Sequence, residues 1–134
     1  MNIKQAAEQF DLTTDTLRYY ERIGLIPPVS RNESGYRDYS DIDLNWVSFI
    51  KCMRDAGVSV ESLIEYVSLF QEGTDSISTR KEILIDQRQE LAGKIKVMQE
   101  TLAKLDEKID GYEENMLAFQ SEHLLSKKGE SVHE

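Results

Sequence analysis

The chain has few of the residues that build staples, hinges and covalent centres. Its 134 residues include one cysteine, two prolines, two histidines and seven glycines. A single cysteine makes no intramolecular disulfide and cannot supply a thiolate metal cluster. Pro and Gly are too scarce for a linker-rich or disordered chain, and helix formers dominate the second half. No apolar run approaches the roughly 20 residues a bilayer span needs. The opening Met1-Asn2-Ile3-Lys4-Gln5 lacks the basic-then-apolar layout of a secretion signal. A cytoplasmic protein without a membrane partner is therefore expected. The first 120 residues hold no histidine that could serve Cys52 as a base, and no glycine-rich phosphate loop or metal constellation is present. The expectation is no enzyme, no cofactor and no metal site.

Positive charge is also in deficit. The formal net charge is −9; residues 1–72 hold 7 Lys+Arg against 12 Asp+Glu, and the remainder 9 against 13. A protein that binds nucleic acid by bulk electrostatics is basic, so any DNA contact must come from a local surface. Residues 13–37 carry Arg18, Arg22, Arg31 and Arg37 against Asp15, Glu21 and Glu33. Charge permits DNA binding there without arguing for it.

What is present is helical periodicity. Ile3, Ala6, Ala7 and Phe10 share one face of a first helix. Thr13 or Thr14 caps a second, with Leu17 and Tyr20 inward, which Gly24 and Pro27-Pro28 end near Ile23. Two short helices joined by a tight turn are the skeleton of a helix-turn-helix. From Val29 to Tyr39 the turn formers Ser30, Asn32, Ser34 and Gly35 predict a small β-hairpin, a wing, turning near Glu33-Ser34-Gly35. Ser40 with Asp43 predicts a near capping box for a third helix carrying Ile42, Trp46, Phe49, Ile50 and Met53. Ser59 caps a fourth, with Val60, Leu63, Ile64, Val67 and Leu69-Phe70.

From Asp75 to about Gln120 the pattern reads as one continuous helix. Positions 84, 88, 91, 95, 98, 102, 105, 109, 112, 116 and 119 are apolar except Arg88, a coiled-coil seam over five heptads. A helix of about 45 residues is roughly 68 Å long, too long to bury its stripe on so small a head. A second copy is needed, and an isologous homodimer is the common solution. Heptads leave parallel and antiparallel pairing open. The expected organisation is mainly α: a winged helix-turn-helix head at 1–73, a dimerising helix at 74–120 and a flexible tail at 121–134.

The run Thr16-Leu17-Arg18-Tyr19-Tyr20-Glu21-Arg22-Ile23-Gly24-Leu25-Ile26 closely resembles the second helix of the MerR family of regulators. Gly35-Tyr36-Arg37-Asp38-Tyr39-Ser40 resembles that family's wing and the entry to its third helix. The similarity covers about residues 1–72, and the long helix resembles the family's dimerisation element. The resemblance implies a dimer whose second helices enter successive major grooves of double-stranded promoter DNA. It also implies activation by bending and untwisting an over-long promoter spacer, so that RNA polymerase is engaged indirectly through DNA shape. It carries residue roles with it. Thr14 and Arg18 face the bases, Tyr19 a phosphate, and Arg31, Tyr36 and Arg37 of the wing the backbone. Arg54 resembles a basic contact near the operator centre. Tyr20 and Tyr39 are expected in packing.

Family members differ in what they sense. No cysteine follows Gly57, and His123 and His133 alone make a poor metal site. An iron–sulfur cluster lacks its ligands, and the 14 residues after Gln120 leave no room for a drug-binding domain. Cys52 remains. A lone cysteine beside apolar neighbours is often a packing residue. Neighbouring cations favour a reactive thiolate, and Lys51 and Arg54 stand close in sequence. The sequence also resembles the aldehyde-responsive branch of the family, in which one cysteine at this point of the third helix senses electrophiles. The expectation is an activator triggered when a reactive aldehyde modifies Cys52. A constitutive repressor, with Cys52 structural, and an oxidative or nitrosative sensor stay open. A coiled-coil adaptor would differ from all of these in having no salt-dependent, sequence-specific DNA affinity.

Overall fold

A computed structural model describes the backbone of residues 1–129 and the side chains as far as residue 122. The elements run α1 (Ile3–Phe10), α2 (Thr14–Ile23), α3 (Asp41–Asp55), α4 (Val60–Glu72), α5 (Ile77–Ile109) and α6 (Tyr112–Gly129), with a 3₁₀ turn at Thr74–Ser76. Polar caps start the first four helices. Asn2 and Gln5 form a capping box on α1, as Ser40 and Asp43 do on α3. Thr13 and Ser59 each accept the backbone N–H three residues on. Each such cap satisfies donors the helix itself leaves open. Gly24 ends α2 in the left-handed region, at φ 86°, a conformation glycine adopts without a Cβ clash.

Two compact units divide between Ala92 and Gly93, inside α5. The first is built on a core that takes Ala6 from α1, Leu17 and Tyr20 from α2, Ile50 from α3 and Leu63 from α4. It reaches beyond the expected head boundary at residue 73 because the start of α5 packs back on it. Ile83, Gln87 and Leu91 are half-buried. Gln87 accepts the Ser59 N–H at 3.4 Å and donates to Ser62 Oγ at 3.1 Å.

Three expectations need adjustment. The apolar face of α3 is centred on Val47 and Ile50, while Ile42 is 70% exposed; the buried residue of that first turn is Asp43, held there by its capping bonds. The wing is barely a hairpin. Arg31 and Arg37 form one isolated antiparallel bridge, and the loop between them is closed by Asn32, whose side chain accepts from Ser34 N–H at 2.9 Å and Tyr36 N–H at 3.1 Å. These side-chain bonds reinforce a few backbone bonds across the loop, from Asn32 N–H to the Tyr36 carbonyl at 2.9 Å and from Asp38 N–H to the Ser30 carbonyl at 2.7 Å. Finally, the long helix is not continuous. Gly111 takes a left-handed φ of 66° after Asp110, which splits the eleven-position seam between α5 and α6.

α6 runs past Gln120 to Gly129. The rest of the expected tail, residues 130–134 with His133, and the side chain of His123 lie outside the described residues. Within α5, Ile95, Met98, Leu102, Leu105 and Ile109 of the seam are exposed, and no residue of that helix is buried.

Candidate nucleic-acid interface

Leu17 and Tyr20 anchor α2 in the core, and the helix turns its opposite face outward. On that face Arg18 Nη1 donates to Asp15 Oδ1 at 3.0 Å and to Thr14 Oγ1 at 3.3 Å. One turn on, the Arg22 guanidinium lies over the Tyr19 ring, 5.4 Å from its centroid. Stacking of this kind restricts the ring, which stays exposed. Thr14, Arg18 and Tyr19 are thus brought together, and Arg22 joins them although the sequence reading gave it no role.

The wing is tied to α2 by one carboxylate. Glu21 Oε1 accepts from Arg37 Nε at 2.6 Å, and Glu21 Oε2 accepts the Val29 N–H at 3.1 Å and stands 4.0 Å from Arg31 Nη2. Arg31 Nη1 also donates to the Gly35 carbonyl at 3.2 Å. A second carboxylate holds the base of the wing: Asp43 Oδ2 accepts from Ser30 N–H at 3.3 Å while capping α3 through Ser40 N–H. Tyr36 projects from the wing, 72% exposed. Glu21 was counted in sequence only as a charge. Its signal in the sequence is an acidic residue among the arginines of residues 13–37, where a cationic partner is available.

Tyr20 and Tyr39 are both buried. Desolvation by burial raises the pKa of each phenol, with Asp55 adding to Tyr20. Among the described residues the Tyr39 hydroxyl has no hydrogen-bond partner.

Arg54, near the end of α3, donates to the Val58 carbonyl and is partly buried, so it is held against the α3–α4 turn. Lys51 pairs with Asp55 at 3.0 Å, and that hydrogen bond raises the pKa of Lys51. Both cations that flank Cys52 in sequence thus have partners of their own, Asp55 and the Val58 carbonyl. Cys52 itself is a free, exposed cysteine.

The profile of the MerR HTH regulatory protein family matches residues 1–69, and that of MerR DNA binding matches residues 44–108. The chain belongs to the MerR family. It is a DNA-binding transcription regulator with the helix-turn-helix of that family. Among its relatives, the HTH-type transcriptional regulator AdhR of Bacillus subtilis is 62% identical over 91 residues, 68% of this chain and 65% of AdhR. The match thus spans less than two thirds of that relative's length. Heavy metal-dependent transcription regulator 2 of Rhizobium meliloti is 38% identical over 100 residues, 75% of this chain and 68% of that one. A MerR family regulator from Listeria monocytogenes superposes with a TM-score of 0.83 at 48% identity, over 98% of this chain and 99% of that one. The MerR family regulator HiNmlR, described as lacking the sensor domain and crystallised on promoter DNA, gives 0.77 at 28% identity, over 87% of this chain and 92% of its own.

Proposed function

We propose that this MerR family regulator works as a homodimer that activates a promoter by distorting it, and that a reactive aldehyde switches it through Cys52. On DNA, Thr14 and Arg18 meet base edges, where an arginine pairs bidentately with guanine. Tyr19, Arg31, Tyr36 and Arg37 meet phosphates, and Arg54 acts near the operator centre. Likeness to HiNmlR, whose structure holds promoter DNA, supports the docking mode. The exposed seam of α5 supports the dimer, since a stripe of this size in water is a partner's surface.

The exposure of Cys52 on α3 carries the sensing part. A small electrophile reaches its sulfur without unfolding the head. Addition forms a carbon–sulfur bond while the carbonyl oxygen takes up the thiol proton, giving a hemithioacetal, and no oxidant is needed. α3 contributes Val47 and Ile50 to the core and ends in the turn that seats Arg54, so a group attached at Cys52 bears on a DNA contact through one helix. The resemblance to AdhR, in line with the single-cysteine aldehyde-responsive branch, favours a carbonyl over other electrophiles.

The test is run-off transcription from the promoter beside its own gene, with and without formaldehyde or methylglyoxal, on wild type and Cys52→Ser. Induction of the wild type alone is expected. Equal response of both proteins, or none, removes Cys52 as the sensor. Induction by peroxide or a nitrosothiol in place of aldehyde would favour the oxidative reading.

A further inference from the structure

The antiparallel bridge sets Arg31 and Arg37 directly opposite one another in the wing. Like charges in that relation repel, and both belong to a surface that must meet phosphate in a fixed place. Glu21 answers both problems. Its carboxylate is 13% exposed, fixed on the helix that carries Arg18, and it reaches Arg37 Nε, Arg31 Nη2 and the Val29 N–H together. An acidic side chain here would otherwise repel the DNA.

We propose that Glu21 is the positioning residue of the wing: it holds Arg37 by the Nε edge of its guanidinium and so presents the opposite Nη edge to a DNA phosphate. A guanidinium has five N–H donors in one plane, enough to serve a carboxylate on one edge and a phosphate on another. A lysine ammonium has no such pair of edges. Because Glu21 belongs to α2, the wing's phosphate contact is set in register with the face carrying Thr14 and Arg18. The inference rests on the reading of Arg37 as a phosphate contact.

The experiment measures binding of the full chain to a duplex carrying the promoter beside its own gene, by fluorescence anisotropy across a salt series. The proteins are wild type, Glu21→Gln, Arg37→Ala, Arg37→Lys and the Glu21→Gln/Arg37→Ala double variant. The glutamine keeps an acceptor for the Val29 N–H, so the wing retains its path; circular dichroism and melting confirm folding. Arg37→Ala is expected to weaken binding about tenfold and to reduce the salt slope by about 0.9 for each head bound. Glu21→Gln should weaken it in the same way although it removes a negative charge, the double variant should match Arg37→Ala alone, and Arg37→Lys should fall nearer alanine than wild type. If Arg37→Ala weakens binding but Glu21→Gln leaves it unchanged or tighter, or if the two losses multiply, Glu21 does not act through Arg37 and the proposal fails. If Arg37→Ala changes neither affinity nor slope, the phosphate reading of Arg37 fails first. Should Glu21→Gln not fold, Arg37→Lys decides: binding equal to wild type overturns the proposal.

Discussion

Leu102 offers a quantitative test of the dimer. It sits on the α5 seam and is 58% exposed in the single chain. Full burial of a leucine side chain is worth roughly 1.5–3 kcal/mol, and about half of that is still available to a partner helix. Truncation to alanine removes most of the group, so Leu102→Ala should cost about 1 kcal/mol per chain, doubled to about 2 kcal/mol by two-fold symmetry. That corresponds to an about thirtyfold weaker dimer. Val97 is the control: it is equally apolar and 60% exposed, but lies outside the four-and-three spacing of the seam. Sedimentation equilibrium over a concentration series should show the loss for Leu102→Ala and none for Val97→Ala. Equal losses at the two positions would mean that stickiness, not a seam, holds the chains together. No loss at Leu102 would remove the coiled coil from the account.

Three further outcomes are expected. Arg18→Ala should weaken operator binding by about 2 kcal/mol, within the range of a bidentate base contact, while random-sequence DNA loses far less; equal losses on both duplexes in a competition assay would reassign Arg18 to the backbone. Tyr39→Phe should stabilise the head by about 1 kcal/mol, because it removes a buried hydroxyl that lacks a partner among the described residues, and thermal melting reads the change. Burial lifts the Tyr39 pKa above the ordinary 10.0, so its contribution is complete below that pH and is lost as pH rises past it. The phenylalanine variant should accordingly lose less stability in alkali, and an unchanged alkaline profile would contradict this. Gly24→Ala should cost about 1–2 kcal/mol for the left-handed backbone alone, since a Cβ there meets only Ile64 Cγ2 at 3.9 Å; a melting temperature equal to wild type would show that the turn relaxes.

The head was legible because its signals are local. Thr13, Ser40 and Ser59 cap the helices predicted for them, and Gly24 stops α2. Leu17 and Tyr20 face inward at the spacing that set them there. What escaped depends on partners distant in sequence. Periodicity gave Ile42 to the α3 stripe, but the capping geometry turns Asp43 inward and leaves Ile42 outside. A seam that tolerates Gly111 in its spacing cannot reveal that this glycine turns left-handed and divides the helix. The partners of the cations near Cys52 were not legible either; Lys51 reaches Asp55 and Arg54 reaches Val58, each four residues on. On the wing, Arg31 and Arg37, assigned from resemblance, share Glu21, whose partners lie 8, 10 and 16 residues away.

An acidic protein that binds DNA gains little from bulk attraction, and the geometry here is consistent with that constraint. With a net charge of −9, non-specific affinity has few cations to draw on, because it scales with the phosphates neutralised. On the proposed reading of α2 and the wing, the arginines there must therefore work through position. Arg18 is held by Thr14 and Asp15, Arg37 by Glu21, and Arg22 is stacked on Tyr19. Each restraint limits the rotamer freedom that an arginine would otherwise lose on binding. The carboxylates that lower overall attraction are the same groups that fix the cations. On that reading, weaker non-specific attraction and a defined contact geometry come from the same side chains. For a regulator proposed to act on promoter shape, this matters. Distortion of the duplex requires forces applied at defined phosphates, and a flexible basic surface would bind the same DNA without bending it.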